Sequence, residues 1–389
     1  MKNLTWQNPE QLFVAQELIN KVKSKCCGIK VNKVTYLVEK LHWDISIVTT
    51  DQKGRPSFYP LPAGVRVTDL GINYSDDNVK SVTGKILGYL QKRRRHKRLL
   101  TSLLEREKPD IVVSLYPSES SFIPDIKDGS KKVLELHFCK YFRLQYGRKG
   151  LLGMIDKWRT HQDELIVRKF DKFVVLTNED KEYWGNLHNI EVIPNAAMNI
   201  GGHFSDVTNH RVIAVGRLDY QKGFDRLIQA WEYINKSGLY SDWCLDIFGQ
   251  GEWKEMLQEM VQAKNLSVSV HLNSPVKTIG EEYVNSSLLV MSSNYEGFPM
   301  VMIESMAIGL PVVAFDFKCG PRDIISDGEN GLLVPNGDIP GLAEAMMKLM
   351  GDYELRRRMS GKARQVVDTY SEKAVMDKWV RLFTSLAVK

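Results

Sequence analysis

Two glutamates, Glu296 and Glu304, stand eight residues apart in the stretch Ser292-Ser293-Asn294-Tyr295-Glu296-Gly297-Phe298-Pro299-Met300-Val301-Met302-Ile303-Glu304. The apolar run before it, Leu288–Met291, reads as a buried strand. Gly297 reads as a turn and Pro299 as the first residue of a helix, a position proline favours. A helix starting there offers unpaired N–H groups and the positive end of its dipole, which suits a phosphate. Glu296 then lies before the helix and Glu304 roughly one and a half turns inside it. One carboxylate can reach a sugar while the other reaches a ribose diol. Taken alone, the same pair also reads as a capping acid and a surface residue.

A second segment, Val215-Gly216-Arg217-Leu218-Asp219-Tyr220-Gln221-Lys222-Gly223-Phe224, leaves the end of another apolar strand. Arg217 and Lys222 are five residues apart around a glycine-bearing loop. A guanidinium fork and a lysine point charge make a good clamp for a diphosphate; a surface charge pair is the plainer alternative. A third strand, glycine loop and helix follows in Val313–Ile325.

Short apolar or β-branched runs, the candidate strands, recur along the whole chain. They are 45–48, 111–115, 133–137, 173–176, 192–193, 212–215, 245–248, 268–272, 288–291, 312–315 and 331–334. Segments of helical spacing lie between many of them, as at 224–234, 252–264 and 341–350. This alternation predicts parallel sheets covered on both faces. It restarts near residue 211, after a polar, glycine-bearing linker at 196–210. The predicted organisation is an N-terminal domain over 1–200, a C-terminal domain over 201–370 and a terminal helix over 371–389. That helix has Val375, Trp379, Leu382, Phe383 and Leu386 on one face and Ser371 as N-cap. It packs either on its own domain or back on the first.

Together these segments resemble the nucleotide-sugar domain of family 4 glycosyltransferases of the GT-B fold, of the bacterial cell-surface polysaccharide type. The resemblance rests on Glu296-(seven residues)-Glu304, the Gly216-Arg217…Lys222-Gly223 loop and the strand Gly331-Leu332-Leu333-Val334, in that order. It is specific over about 211–335 and looser over the rest of 35–389. It implies an α/β chain of two Rossmann-like doubly wound domains facing across a cleft. It also implies a retaining glycosyltransferase that moves a hexose or N-acetylhexosamine from a nucleotide-diphosphate sugar, a UDP-sugar first, to a glycan or lipid-linked acceptor. Arg217 and Lys222, beside Gly216, would neutralise the donor diphosphate, and Glu304 would bind the ribose hydroxyls. Glu296, Gly297, Phe298 and Met300 would line the donor sugar, and the N–H groups of Met300 and Val301 would meet phosphate. His137, ending Lys132-Val133-Leu134-Glu135-Leu136-His137, would contact the sugar near the reacting carbon. His137 and Glu296 are thus the expected catalytic pair. No Asp-x-Asp occurs in the chain, so no metal or other cofactor is expected. Spacing alone identifies no enzymic nucleophile. A nucleotide-sugar epimerase of the same fold and an inactive sugar-nucleotide-binding remnant remain alternative readings. A nicotinamide dehydrogenase is disfavoured, since no Gly-x-Gly-x-x-Gly follows a strand.

The chain departs from the family at its start. Within residues 1–30 the strand candidate is Leu12–Ala15, Gln7–Lys25 reads at least as well as a helix, and Gly28 is the one remnant of a glycine loop. A lost first strand would expose both neighbours in the N-terminal sheet. The departure bears on activity and acceptor binding and not on the C-terminal donor site.

The 389 residues are 43% hydrophobic and 26% charged, an ordinary globular composition. No run reaches the roughly 20 apolar residues of a membrane span, and no secretory signal is seen at the start. Five cysteines without a Cys-x-x-Cys pair fit a reducing cytoplasm and argue against a structural zinc site. The net charge of +6 is concentrated in Lys92-Arg93-Arg94-Arg95-His96-Lys97-Arg98, on a helical stretch at 84–108. That block reads as a patch for anionic lipid or a lipid diphosphate acceptor, on the inner face of the cell membrane, or as a solvated helix face. No nucleic-acid module accompanies it.

Overall fold

The computed structural model describes residues 11–15, 25–57, 59–79, 81–117, 119–144, 149–197 and 202–387. The chain divides into two compact units. The first holds residues 1–176, 184–193 and 376–389; the second holds 177–183 and 194–375. The sequence reading put boundaries near 200 and 370, with the terminal helix free to return to the first domain; the chain changes unit at 176/177, 183/184, 193/194 and 375/376, the last of these being that return. Asp323 accounts for the short excursion. Its carboxylate accepts from the N–H groups of Asn178 at 2.7 Å and Glu179 at 3.2 Å, opening the helix Asn178–Trp184 against the second unit.

The first unit is built on β1 Gln11–Ala15, β2 Asp44–Thr49, β3 Arg66–Asp69, β4 Ile111–Leu115, β5 Lys131–Glu135, β6 Lys172–Val175 and β7 Ile190–Val192. All pair in parallel, in the order β3-β2-β1-β4-β5-β6-β7. The second unit carries β8 Arg211–Val215, β9 Cys244–Phe248, β10 Val270–Asn273, β11 Leu288–Met291, β12 Val312–Asp316 and β13 Gly331–Pro335. Its order is β10-β9-β8-β11-β12-β13, again all parallel. Both sheets wind outward from a first strand in two directions, the 3-2-1-4-5-6 order of a Rossmann unit. Each therefore has a switch point, between β1 and β4 in one and between β8 and β11 in the other. Strands beside these points, such as β4 and β11, are buried along their whole length. That is why their sequences are continuous apolar runs without alternation.

Three expectations need correction. The first strand is present: β1 lies centrally, hydrogen-bonded to both β2 and β4, so the stretch from Gln7 is not helical throughout. Gly28 lies inside the helix Lys25–Leu41 rather than in a loop; residues 16–24, where a glycine loop would follow β1, fall outside the described residues. β3 escaped notice because Arg-Val-Thr-Asp is a short, fully exposed edge strand with no apolar pattern to read.

The terminal helix runs Glu372–Ala387 with Ser371 Oγ accepting from Ala374 N at 3.4 Å. Its residues from Met376 belong to the first unit. There Trp379 stacks on Phe383 with ring centres 5.1 Å apart, and Phe383 meets Trp43 at 6.0 Å. Among the described residues no helix is long and apolar enough to cross a membrane.

Candidate nucleotide-sugar site

Within the second unit, two loops leave the carboxyl ends of the strands that flank the switch point. One follows β8 and runs through Gly216 to Gly223; the other follows β11 and runs from Ser292 to Pro299. In open α/β sheets this crevice is where ligands bind. The loops are sewn together by long-range bonds. Asn294 N donates to Gln221 O at 2.8 Å and Asn294 Nδ2 to Tyr220 O at 2.5 Å. Ser292 Oγ donates to Lys222 O at 3.1 Å, and Arg226 Nη2 donates to Ser292 O.

Glycines permit this closeness. Gly223 has φ +60°, and a Cβ there would lie 2.3 Å from Ser292 O. A Cβ on Gly249, just past β9, would lie 1.9 Å from Gly216 O. No real Cβ tolerates that distance, so Gly249→Ala must displace the backbone of the loop that carries Arg217. The expected result is a lowered melting temperature together with weakened nucleotide binding.

Glu296 is the hub. Its Oε1 accepts from Lys222 Nζ at 2.5 Å and Ser293 Oγ at 2.8 Å, and its Oε2 from Gln221 Nε2 at 3.0 Å. The ion pair is well shielded, with side chains 14% and 7% exposed for Lys222 and Glu296. Arg217 stays at the rim, donating to Gln221 Oε1 at 2.6 Å and pairing with Asp219 at 3.1 Å. The two cations thus do not converge directly: Arg217 reaches the hub through Gln221, and Lys222 reaches it itself. Gln221, Ser293, Asn294 and Gly249 had escaped the sequence reading. Their partners are mostly distant in the chain, so local spacing carried no signal for them, Ser293 three residues before Glu296 excepted.

The helix after the second loop runs Met300–Ile308, so Pro299 occupies the N-cap position rather than the first helical residue. Met300 N turns back to Phe298 O at 2.9 Å. Among the described residues no hydrogen bond is made by Val301 N, the other amide expected to meet phosphate. Gly297 is half-buried; Phe298, Met300 and Val301 are buried, and Phe298 lies 5.8 Å from the Tyr370 ring. Glu304, one turn into the helix, is buried as well. Burial first, and the Glu304 charge second, hold the Tyr283 phenol well above its ordinary pKa.

Glu304 thus lies inside the helix, one turn past its start, while Gly216, Arg217, Lys222, Glu296 and Gly297 belong to the two loops at the crevice.

His137 belongs to the first unit, two residues beyond β5 and not within the strand as expected. Its Nε2 lies 3.1 Å from Glu135 Oε2, and Lys33 Nζ donates to Glu135 Oε1 at 2.5 Å. Lys33 also stands 3.6 Å over the Trp379 ring. Burial alone raises the Glu135 pKa, but Lys33 and His137 outweigh it and bring the pKa down to about 2. In the second unit Cys244, Asp246 and His271 bring three potential ligand atoms within 4.8 Å. They lie within β9 and β10 rather than on the loops at the carboxyl ends, and Arg211 and His271 already pair with Asp246.

The family model for glycosyl transferases group 1 matches residues 200–366, the range holding this crevice. The amylovoran biosynthesis glycosyltransferase AmsD of Erwinia amylovora is 37% identical over 272 residues, 65% of this chain and 75% of AmsD. The poly(ribitol-phosphate) alpha-N-acetylglucosaminyltransferase of Staphylococcus aureus is 31% identical over 222 residues, 57% of this chain and 43% of that protein. The crystal structure of Anabaena HepE in complex with UDP aligns with a TM-score of 0.72 at 14% identity, covering 97% of this chain and 100% of that one. At that identity the likeness bears on the fold, which is GT-B. Two doubly wound units, the crevice built from Glu296 to Glu304, and the identity with AmsD lead to one assignment: the chain belongs to the group 1 glycosyltransferases.

Proposed function

We propose that this glycosyltransferase is a retaining, metal-independent hexosyl- or N-acetylhexosaminyltransferase. It takes its sugar from a UDP-sugar and passes it to a lipid-linked or oligosaccharide acceptor in surface-polysaccharide synthesis. The observation that carries the reading is the crevice at the β8/β11 switch point, where Lys222, Arg217 and the start of the helix Met300–Ile308 supply positive charge from two directions. These groups stabilise the negative charge that grows on the departing diphosphate. Lys222 then exchanges the Glu296 carboxylate for phosphate oxygen, which releases Glu296 toward the sugar. Glu304 binds the ribose hydroxyls, and His137 contacts the sugar near the reacting carbon. The acceptor attacks on the front face, and the leaving phosphate helps to take its proton. AmsD is named for amylovoran biosynthesis, the Staphylococcus aureus relative for alpha transfer, and HepE binds UDP; all three agree with this reading.

The membrane part of the proposal uses the exposed half of the basic block. Within the helix Val82–Glu107, Arg94, Arg95, Lys97 and Arg98 face solvent. Lys92, Arg93 and His96 turn inward, Lys92 to Asp77 at 3.0 Å and Arg93 to Ser121 at 2.9 Å. The exposed four are proposed to meet an anionic membrane surface at the inner face.

Saturating UDP should raise the melting temperature, since ligand at 100 times its Kd stabilises by about 2.7 kcal/mol. Turnover of the right UDP-sugar with acceptor should persist in EDTA. No shift with any nucleotide diphosphate would remove the donor reading. Loss of turnover in EDTA, restored by magnesium or manganese, would remove metal independence. An isomerised sugar nucleotide formed from donor alone would select an epimerase.

A further inference from the structure

The helix Gly150–Val167 of the first unit is inverted in its amphipathicity. Its buried positions carry Asp156, Thr160 and Asp163, with Val167 at the end. Its exposed positions carry Leu151 at 72%, Met154 at 68%, Ile155 at 38%, Trp158 at 62% and Leu165 at 49%. The first four follow i, i+3, i+4 and i+7, which is one continuous helical stripe. The buried polar side has its own partners. Asp163 accepts from Arg143, Thr160 Oγ1 donates to Asp156 O at 2.9 Å, and the neighbouring Glu164 pairs with Lys140 at 2.7 Å. The helix is held to its unit by the Arg143 and Lys140 pairs and, at its end, by Val167 and Ile166 in the core, and the stripe from Leu151 to Trp158 is left facing outward. Contiguous exposed apolar stripes of this kind mark interaction sites.

The charges around the stripe indicate which partner. Lys149, Lys157 and Arg159 are exposed, while Asp156, the acid of the stretch 149–159, is buried. From 149 to 159 the outward side is thus cationic and apolar, with no exposed acid. A tryptophan beside lysine and arginine on such a face suits the headgroup and acyl boundary of an anionic bilayer.

We infer that the stripe Leu151, Met154, Ile155 and Trp158 inserts into an anionic lipid bilayer, with Lys149, Lys157 and Arg159 at the headgroups. The site is made of different side chains from the basic block at 92–98, and it supplies apolar insertion rather than long-range attraction. It adds to the membrane part of the proposed function and is independent of the sugar donor.

The test uses the full chain with vesicles of equimolar phosphatidylglycerol and phosphatidylcholine. A triple variant, Leu151→Ser, Ile155→Ser and Trp158→Ser, changes exposed positions only. Circular dichroism and the UDP-induced melting shift report that it is folded. The triple variant should partition into vesicles at least tenfold more weakly than wild type, at 0.1 M and at 0.5 M salt. Brominated acyl chains should quench wild-type tryptophan emission more than that of Trp158→Phe. A second variant, with Arg94, Arg95, Lys97 and Arg98 changed to Gln, should lose binding mainly at low salt. If that variant binds like wild type while the triple variant does not, the basic-block reading fails and the present one stands. Equal partitioning of wild type and the triple variant overturns the inference, as does a wild type that ignores the vesicles. A wild-type dimer that the triple variant dissociates, without vesicle binding, also overturns it and assigns the stripe to a second copy of the chain.

Discussion

Replacing Lys222 by alanine is expected to weaken UDP and UDP-sugar binding by tenfold or more and to lower the stability of the second unit as well. A charge-assisted hydrogen bond to phosphate is worth about 1.5–3 kcal/mol, which sets the affinity loss. The stability loss has a separate origin. Lys222 holds Glu296 across 2.5 Å with both side chains largely shielded from water. Removing one partner of a buried pair leaves the other charge uncompensated, at a cost of about 3–5 kcal/mol. The double change Lys222→Met with Glu296→Gln removes both charges. It should recover much of the stability and none of the affinity. Calorimetric titration with UDP and urea unfolding separate the two quantities. Unchanged UDP affinity in Lys222→Ala would end the assignment of this lysine to the diphosphate.

The second large effect belongs to Glu135 in the first unit. Its carboxylate lies between Lys33 and His137 and is fully buried, yet its pKa is brought from 4.5 down to about 2. A lowered carboxylate pKa means that the folded state prefers the charged form. The stabilisation is therefore complete above about pH 4.5 and is lost as the pH falls toward about 2. A shift of this size corresponds to about 3 kcal/mol. Glu135→Gln should lose stability of that order at pH 7, because Lys33 then stays buried beside a neutral amide. The gap between wild type and variant in urea unfolding should close as the pH drops through that window. A gap that stays constant from pH 7 to pH 3 would show that the charge of Glu135 contributes nothing to stability.

Much of the fold could be read along the chain. β8, β11 and β12 are contiguous apolar runs that end in glycine or polar loops, and the helices between strands keep a 3.6-residue period. These are local properties, and local rules decide them. Some local signals were too weak. β3 has four exposed residues, and a strand of that kind buries nothing that would leave an apolar pattern. Leu12–Ala15 is apolar but short, and short apolar runs do not distinguish strand from helix. Its pairing with both β2 and β4 settles the matter.

The candidate site shows the same division. Glu296, Gly297 and Glu304 could be singled out because one loop and one helix hold them in a fixed spacing. The hub itself could not, since Gln221 and Lys222 meet Glu296 across 75 and 74 residues of chain. The fit of Gly249 beneath Gly216 is of the same kind.

By itself the sequence determined the alternation of strand and helix, the parallel character of the sheets, and the chemical equipment of the crevice loops. Each of these depends on residues close in the chain, whose side chains and backbone preferences act on one another directly. Only the tertiary structure decided that β1 is central, that Lys222 is spent on Glu296, and that Lys92, Arg93 and His96 turn inward from a block of like composition. It also decided that the helix Gly150–Val167 buries Asp156 and Asp163 and shows Leu151, Met154, Ile155 and Trp158. Amphipathic spacing defines two faces of a helix, but which face is buried depends on the partners that arrive from elsewhere in the chain. Arg143 and Lys140, by pairing with Asp163 and Glu164, turned this one over.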